Sequence, residues 1–328
     1  MQSKSLWSLG LIAVAAMAWG GITPANAAAK ITMRLAENQP ESNPVSVAMH
    51  QFAKLVKEKT NGEVEVVVYT AAQLGQEPET IEQTQLGVIE FARVNSVVVG
   101  NVVKEVGVFT LPYVFRDINH KFKVLDGEIG QQVDAALAKQ GLVNLGYMEA
   151  GSRSFYTIKG KQIKSLADLA GKKIRVQPAP ISIQMVKLLG ATPTPMNYGE
   201  VYSALETGII DGAENDYVSY VTSGHYEVAP FYTEDNHLSP PAMLLMNKDK
   251  LDSLSKAYQT AILAAGKEAA VFERDLMVKG NEEAKKKAIA AGVVITPIDN
   301  APFRAAVKPI YDTFPAYADI LKRMAEVK

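Results

Sequence analysis

The chain has 328 residues, with 34 Lys and Arg against 35 Asp and Glu and no cysteine. A balance this close to neutral gives no electrostatic reason to expect nucleic acid or an anionic membrane surface as partner. The absence of cysteine excludes a disulfide framework, and a chain of this length can bury a sufficient core without one.

The first residues read as an export signal: Lys4 supplies a positive start, residues 6–18 an apolar run, and Ala25-Asn26-Ala27 a small-residue cleavage site. The run is short for a membrane span, which leaves an uncleaved anchor as the alternative reading. With no cysteine after the run, a lipoprotein anchor is excluded. Residues 1–27 are therefore expected to be removed, leaving an exported protein that starts near Ala28 with a formal charge of −2, because Lys4 is the segment's only charge. Trp7 and Trp19 are the chain's two tryptophans and both lie in the segment, so Tyr and Phe supply the mature aromatic surface. About 300 residues remain, enough for two lobes rather than one core.

Residues 31–35 alternate like a strand. Residues 37–43 are a polar loop ending in Asn43-Pro44, a cap followed by Pro at the first helical position. Val45, Ala48, Met49, Phe52 and Val56 then mark the buried face of a helix that stops at Asn61-Gly62. Residues 63–69 form a strand, Glu77-Pro78 opens a second helix closed by Gly87, and residues 88–94 form another strand. This β-α-β-α-β order predicts a mostly parallel sheet with helices on its faces.

The pattern restarts in the second half. Residues 154–158 read as a strand, Ser165 to Asp168 as a capping box, and residues 173–177 as a strand. Helices are predicted over 181–189 and 198–205, ended by Gly190 and Gly208, and residues 209–214 lead into a loop. Pro240-Pro241 breaks the chain, residues 242–246 form a strand, and residues 251–290 form a long charged helix. Ligands of open parallel sheets sit beyond the carboxyl ends of the strands, so a cleft between two lobes is the expected site.

Enzyme chemistry finds no support. His50, His120, His225 and His237 are dispersed, with no metal-ligand spacing, nucleophile elbow or phosphate-binding glycine turn. No metal or cofactor is expected. Arg175, ending a short Ile-x-Val strand, stands out instead: its planar, always charged fork matches a carboxylate. A structural ion pair with an acid such as Asp168 is the competing reading, since such pairs are common.

Gln73-Leu74-Gly75, Leu111-Pro112-Tyr113, Gly151-Ser152-Arg153, Lys173-Ile174-Arg175-Val176 and Pro193-Thr194-Pro195-Met196 follow in order. Gly199-Glu200-Val201-Tyr202, Asp211-Gly212-Ala213-Glu214-Asn215 and Asn236-His237 continue the series. Together they resemble the solute-binding subunits of tripartite ATP-independent periplasmic (TRAP) transporters of the dicarboxylate- and sialate-receptor type, over essentially the whole mature chain. The resemblance implies a two-lobed α/β periplasmic-binding-protein fold with a mixed, mostly parallel sheet in each lobe, hinge strands and a long lobe-spanning helix. It implies lobes of residues 28–150 plus about 240–278, and of 151–239 plus about 279–328, hinged near Ala150 and Pro240. It also implies a monomer that hands an organic acid to the small and large membrane subunits of the transporter.

By the same resemblance Arg175 clamps the substrate carboxylate, Asn215 supports it, and Arg153 is a second arginine near the ligand. Asn95 occupies a position that varies with specificity; sialate receptors carry an acid there, which argues against that ligand. Glu37, Asn38, Gln76, Glu77, Gln177, Tyr217 and His237 complete the candidates. Arg93 is as readily structural as ligand-facing. The polar loop at Glu37 and the strand end at Asn95 resemble uronate receptors, so the expected ligand is a hexuronate such as glucuronate or galacturonate. A C4-dicarboxylate, needing a second cation from Arg153 or Arg93, is the alternative, and an exported hydrolase of acidic sugars a distant one.

Overall fold

The structure is a computed structural model that describes residues 30–328. The expected export segment lies outside the described residues. In chain order the strands are β1 (Ile31–Ala36), β2 (Val64–Tyr69), β3 (Phe91–Asn95), β4 (Leu142–Glu149), β5 (Arg153–Thr157), β6 (Lys173–Val176), β7 (Thr192–Pro195), β8 (Gly212–Asn215), β9 (Phe231–Leu238), β10 (Pro241–Asn247) and β11 (Val294–Pro297).

They form two sheets, one per lobe, in the orders β2-β1-β3-β10-β4 and β11-β9-β5-β8-β6-β7. In the first, β1 runs parallel to β2 and β3, while β10 returns antiparallel between β3 and β4. In the second, β6 is parallel to β7 and β8, and β5 is antiparallel to β8 and β9. Both sheets are therefore mixed, and each owes its antiparallel pairs to strands flanking the lobe crossings.

Local chemistry sets the first β-α-β unit. Asn43 caps the helix Pro44–Lys59 by accepting from the Val45 amide at 3.0 Å, and Pro44 loses no helical bond there. Ala48, Met49, Phe52 and Val56 are fully buried on its inner face. Phe52 meets Phe91 of β3 edge-on at 5.3 Å, an anchor that contributes about 1.5–3 kcal/mol by burial. Gly62 ends the turn at a φ of +81°, which a side chain would resist.

Two strands form against local propensity. Gly212–Asn215 lacks β-branched residues and alternation, yet sits between β5 and β6 with every residue buried. Flanking strands, not propensity, make it extended. Thr192–Pro195 tolerates two prolines because it is the sheet edge, where missing N–H donors cost no ladder bond.

The chain crosses between lobes after β4 and after β9. The long helix Lys256–Ala290 braces the crossing: Ile262, Ala265, Ala269 and Ala270 join the first lobe's core, whereas Met277, Ala284 and Ala288 join the second's. Leu251 belongs to a separate short helix, Lys248–Asp252, and Ser255 caps the long one. The tail departs from the expected boundary. Helix Ala318–Glu326 returns to the first lobe, where Tyr317 donates to the Lys104 carbonyl at 2.6 Å and a His120 ring nitrogen meets the Met324 carbonyl at 2.8 Å. Ile320 and Met324 form its buried face.

Candidate functional site

The carboxyl ends of β1, β3, β6 and β8 point into one hollow between the lobes. β1 leads to Asn38, β3 ends at Asn95, β6 carries Arg175 and leads to Gln177, and β8 ends at Asn215 and Asp216. The hollow has about 570 Å³ of space outside protein atoms, its open mouth included.

Three buried arginines line it, and their partners differ. Arg93 is held by Glu37, with Nε 2.6 Å from Oε2 and Nη2 donating to Oε1. Arg153 is held by Glu214 through Nε and Nη2, at 2.5 and 2.9 Å, and its Nη1 donates to Asn215 Oδ1. Arg175, 2% exposed, donates Nε and Nη2 to the Met196 carbonyl at 3.0 and 2.8 Å and meets no carboxylate among the described residues. Burial pulls its pKa down, with the field of Glu214 opposing. Asp168 is not its partner, because its carboxylate accepts from the Lys164 and Ser165 amides at 2.9 and 2.8 Å.

Behind Arg153 the charges alternate. His237 lies 2.8 Å from Asp235 and 3.6 Å from Glu214, with Phe155 stacked on its ring at 4.3 Å. Burial would neutralise the imidazole, but the two carboxylates outweigh it and raise its pKa to about 9. Burial also disfavours the Glu214 carboxylate, yet Arg153 and His237 lower its pKa to about 2.

The remaining lining is amide and acid. Glu77 accepts from the Asn95 backbone N–H at 2.7 Å, and burial raises its pKa against the pull of Arg93. Asn95 Oδ1 caps the short helix Ser96–Val99 by accepting from Val97 N, which leaves Nδ2 as a donor. Asn215 Oδ1 accepts from Arg153 and from Asp216 N, so its Nδ2 is likewise available. Asp216 caps the helix Tyr217–Thr222 through Ser219 N at 3.0 Å, and burial raises its pKa. It packs on Gly151 at the first crossing: a Cβ there would lie 2.2 Å from the Asp216 Cβ, and the φ of +74° disfavours a side chain as well.

Of the sequence candidates, Arg175, Asn215, Arg153, Asn95, Asn38, Gln76, Glu77 and Gln177 line the hollow together. Three stand elsewhere. Glu37 sits behind Arg93, both oxygens committed to it. Tyr217 stacks on Tyr232 at 4.1 Å, donates to Glu234 at 2.9 Å and faces a second hollow beside the hinge. His237 is fully buried behind Glu214. Glu37 and Tyr217 directly adjoin lining residues in sequence but face away, and His237 lies on β9, which contributes no lining residue. Gln39, Asn197, Tyr198, Asp216 and Met277 also line the hollow and were missed. Only Asp216, an acid before an apolar run, carried a readable signal, as a helix cap.

The arrangement can hold an anion at Arg175 and hydroxyls among the amides. Among the described residues no cluster of three His, Asp or Glu side chains is placed to hold a metal ion. Residues 35–316 match the family of bacterial extracellular solute-binding proteins, family 7. A solute-binding protein of Chromohalobacter salexigens is 41% identical over 276 residues, 84% of this chain and 82% of that one. The crystal structure of a TRAP periplasmic solute-binding protein from Roseobacter denitrificans with bound β-D-glucuronate superposes with a TM-score of 0.88 at 37% identity, covering 90% of this chain and 100% of the other. One from Xanthobacter autotrophicus with bound β-D-galacturonate gives 0.88 at 40% identity and the same coverage. Matched over most of its length in sequence and in fold, the chain belongs to the family 7 bacterial extracellular solute-binding proteins, the receptor subunits of TRAP transporters.

Proposed function

We propose that this receptor is exported through a cleavable signal peptide and captures a hexuronate as a monomer in the periplasm, for delivery to TRAP membrane subunits. One observation carries the reading: of three buried cleft arginines, only Arg175 lacks an acidic partner within the described residues. One uncommitted guanidinium asks for one carboxylate. Glu77 and Asp216, with the amides of Asn38, Asn95 and Gln177, match several hydroxyls instead. A C4-dicarboxylate would need a second cation, and Arg93 and Arg153 are already neutralised. The ligands of the R. denitrificans and X. autotrophicus structures, β-D-glucuronate and β-D-galacturonate, support the same class.

In this reading the ring enters while the lobes are parted and is held as they close. The carboxylate takes the outer edge of Arg175, a charge-assisted contact contributing about 1.5–3 kcal/mol in this dry setting. Arg153, occupied by Glu214, orients Asn215 so that its amide reaches the same carboxylate. Hydroxyls bond Asn95 Nδ2, Glu77 and Gln177, and an analogue lacking them leaves those groups unpaired and is rejected.

Calorimetric titration of the mature protein with D-glucuronate, D-galacturonate and succinate tests this. Binding of either uronate without succinate is the expected result. Succinate alone would overturn the hydroxyl assignment and favour the diacid reading.

A further inference from the structure

The hollow's rim holds a contact between the lobes that involves none of the side chains assigned to the ligand. Asn101 Nδ2 donates to the Pro178 carbonyl at 2.8 Å, joining the segment after β3 in the first sheet to the segment after β6 in the second. Asn101 is exposed and its side chain has no other partner among the described residues. Its position is tied to the site from both sides. Asn95 caps the helix Ser96–Val99 through Val97 N at 3.0 Å, and the Asn101 amide continues that turn by donating to the Val98 carbonyl at 3.1 Å. Across the cleft, Pro178 directly follows Gln177.

We propose that Asn101 is a closure latch: a positioning residue that adds to ligand affinity by holding the lobes together without touching the ligand. A solute that draws Asn95 toward Gln177 brings Asn101 onto Pro178. By linkage the latch contributes to binding as much as binding contributes to the latch. Its location on the rim, where both partners are hydrated once apart, limits the gain to that of one neutral hydrogen bond. The latch rests on the receptor reading but not on the identity of the sugar acid.

The test compares wild type with Asn101→Ala and Asn101→Asp. D-glucuronate should bind Asn101→Ala about three- to tenfold more weakly, through faster dissociation. Asn101→Asp should be weaker still, because its carboxylate faces the Pro178 carbonyl. The ligand-free melting temperature of Asn101→Ala should not move, which separates a latch from a residue needed for folding. A dye pair at Glu79→Cys and Glu200→Cys reads the lobes directly; the chain has no cysteine, both sites are exposed, and Gln76 and Gly199 already meet across the mouth beside them. In Asn101→Ala the close-approach population should shrink, with ligand and without. An unchanged dissociation rate and unchanged dye distances would overturn the latch. Should D-glucuronate fail to bind wild type, the hexuronate reading falls, while the ligand-free distances still decide the latch.

Discussion

The two halves of the cleft differ in charge although both contain buried arginine. On the first-lobe side Arg93 is cancelled by Glu37, and what remains for a ligand is Glu77 with the amides of Asn38 and Asn95. On the second-lobe side Arg153 is cancelled by Glu214, itself backed by His237, and Arg175 is left over. The first half offers hydroxyl partners alone, and the second adds a cation to its own, Gln177 and Asp216. The difference teaches that counting arginines says little about a binding site. What matters is which of them the protein has already paired.

The most severe way to break this contrast is to unbalance the second half. Glu214→Ala strands Arg153 and His237 without their shared carboxylate, and loss of one partner of a buried pair costs about 3–5 kcal/mol. The urea midpoint of Glu214→Ala should fall accordingly, and an unchanged midpoint would mean that water or a rearrangement replaces the carboxylate. Next, Arg175→Ala removes the one uncommitted cation. Hexuronate affinity should drop by at least about a hundredfold by calorimetry, since leaving the buried ligand carboxylate without its partner costs about 3–5 kcal/mol. Arg175→Lys should not restore it, because an ammonium lacks the fork. Near-normal binding by Arg175→Ala would move the carboxylate elsewhere in the cleft.

Glu77→Gln sharpens the contrast from the other side. It keeps an acceptor for the Asn95 amide but removes the negative charge, so uronate affinity should fall by about tenfold and discrimination against succinate should narrow. Equal losses for all acids would argue that Glu77 only supports Asn95. A further effect is in pH. Glu214, depressed to about 2 from 4.5, contributes stability that is full above 4.5 and lost as pH falls toward 2. His237, raised to about 9 from 6.5, contributes stability that is full below 6.5 and lost as pH rises through 9. Both are complete only between 4.5 and 6.5, so denaturation midpoints should peak there. His237→Asn should remove the alkaline limb and also shorten the acid one, because His237 helps to lower the Glu214 pKa.

Much of the scaffold was legible from local chemistry. Asn43-Pro44, the Ser165–Asp168 box and the strand at Lys173–Val176 all rest on interactions within a few residues, and the structure places them as read. The second-half pattern failed at Gly212–Asn215, whose extended form comes from its neighbours. In the site, Arg175 and Asn215 were named in advance by their motifs, and the structure brings both to the hollow. Glu37 and His237 were named too, but stand one layer back. Sequence distance cannot tell a residue that meets a ligand from one that meets the residue behind it.

By itself the sequence determined the two α/β units, the long helix after Pro240-Pro241 and the presence of an arginine at a strand end, because each follows from residue type and spacing along one segment. Only the tertiary structure decided that Glu37 takes Arg93, that Glu214 takes Arg153 and that Met196 offers Arg175 nothing but a carbonyl. These pairings join residues up to 61 positions apart, across strands whose order no local pattern encodes. Charge neutralisation in a buried cleft depends on distances of a few ångströms, and those exist only once the sheets have formed.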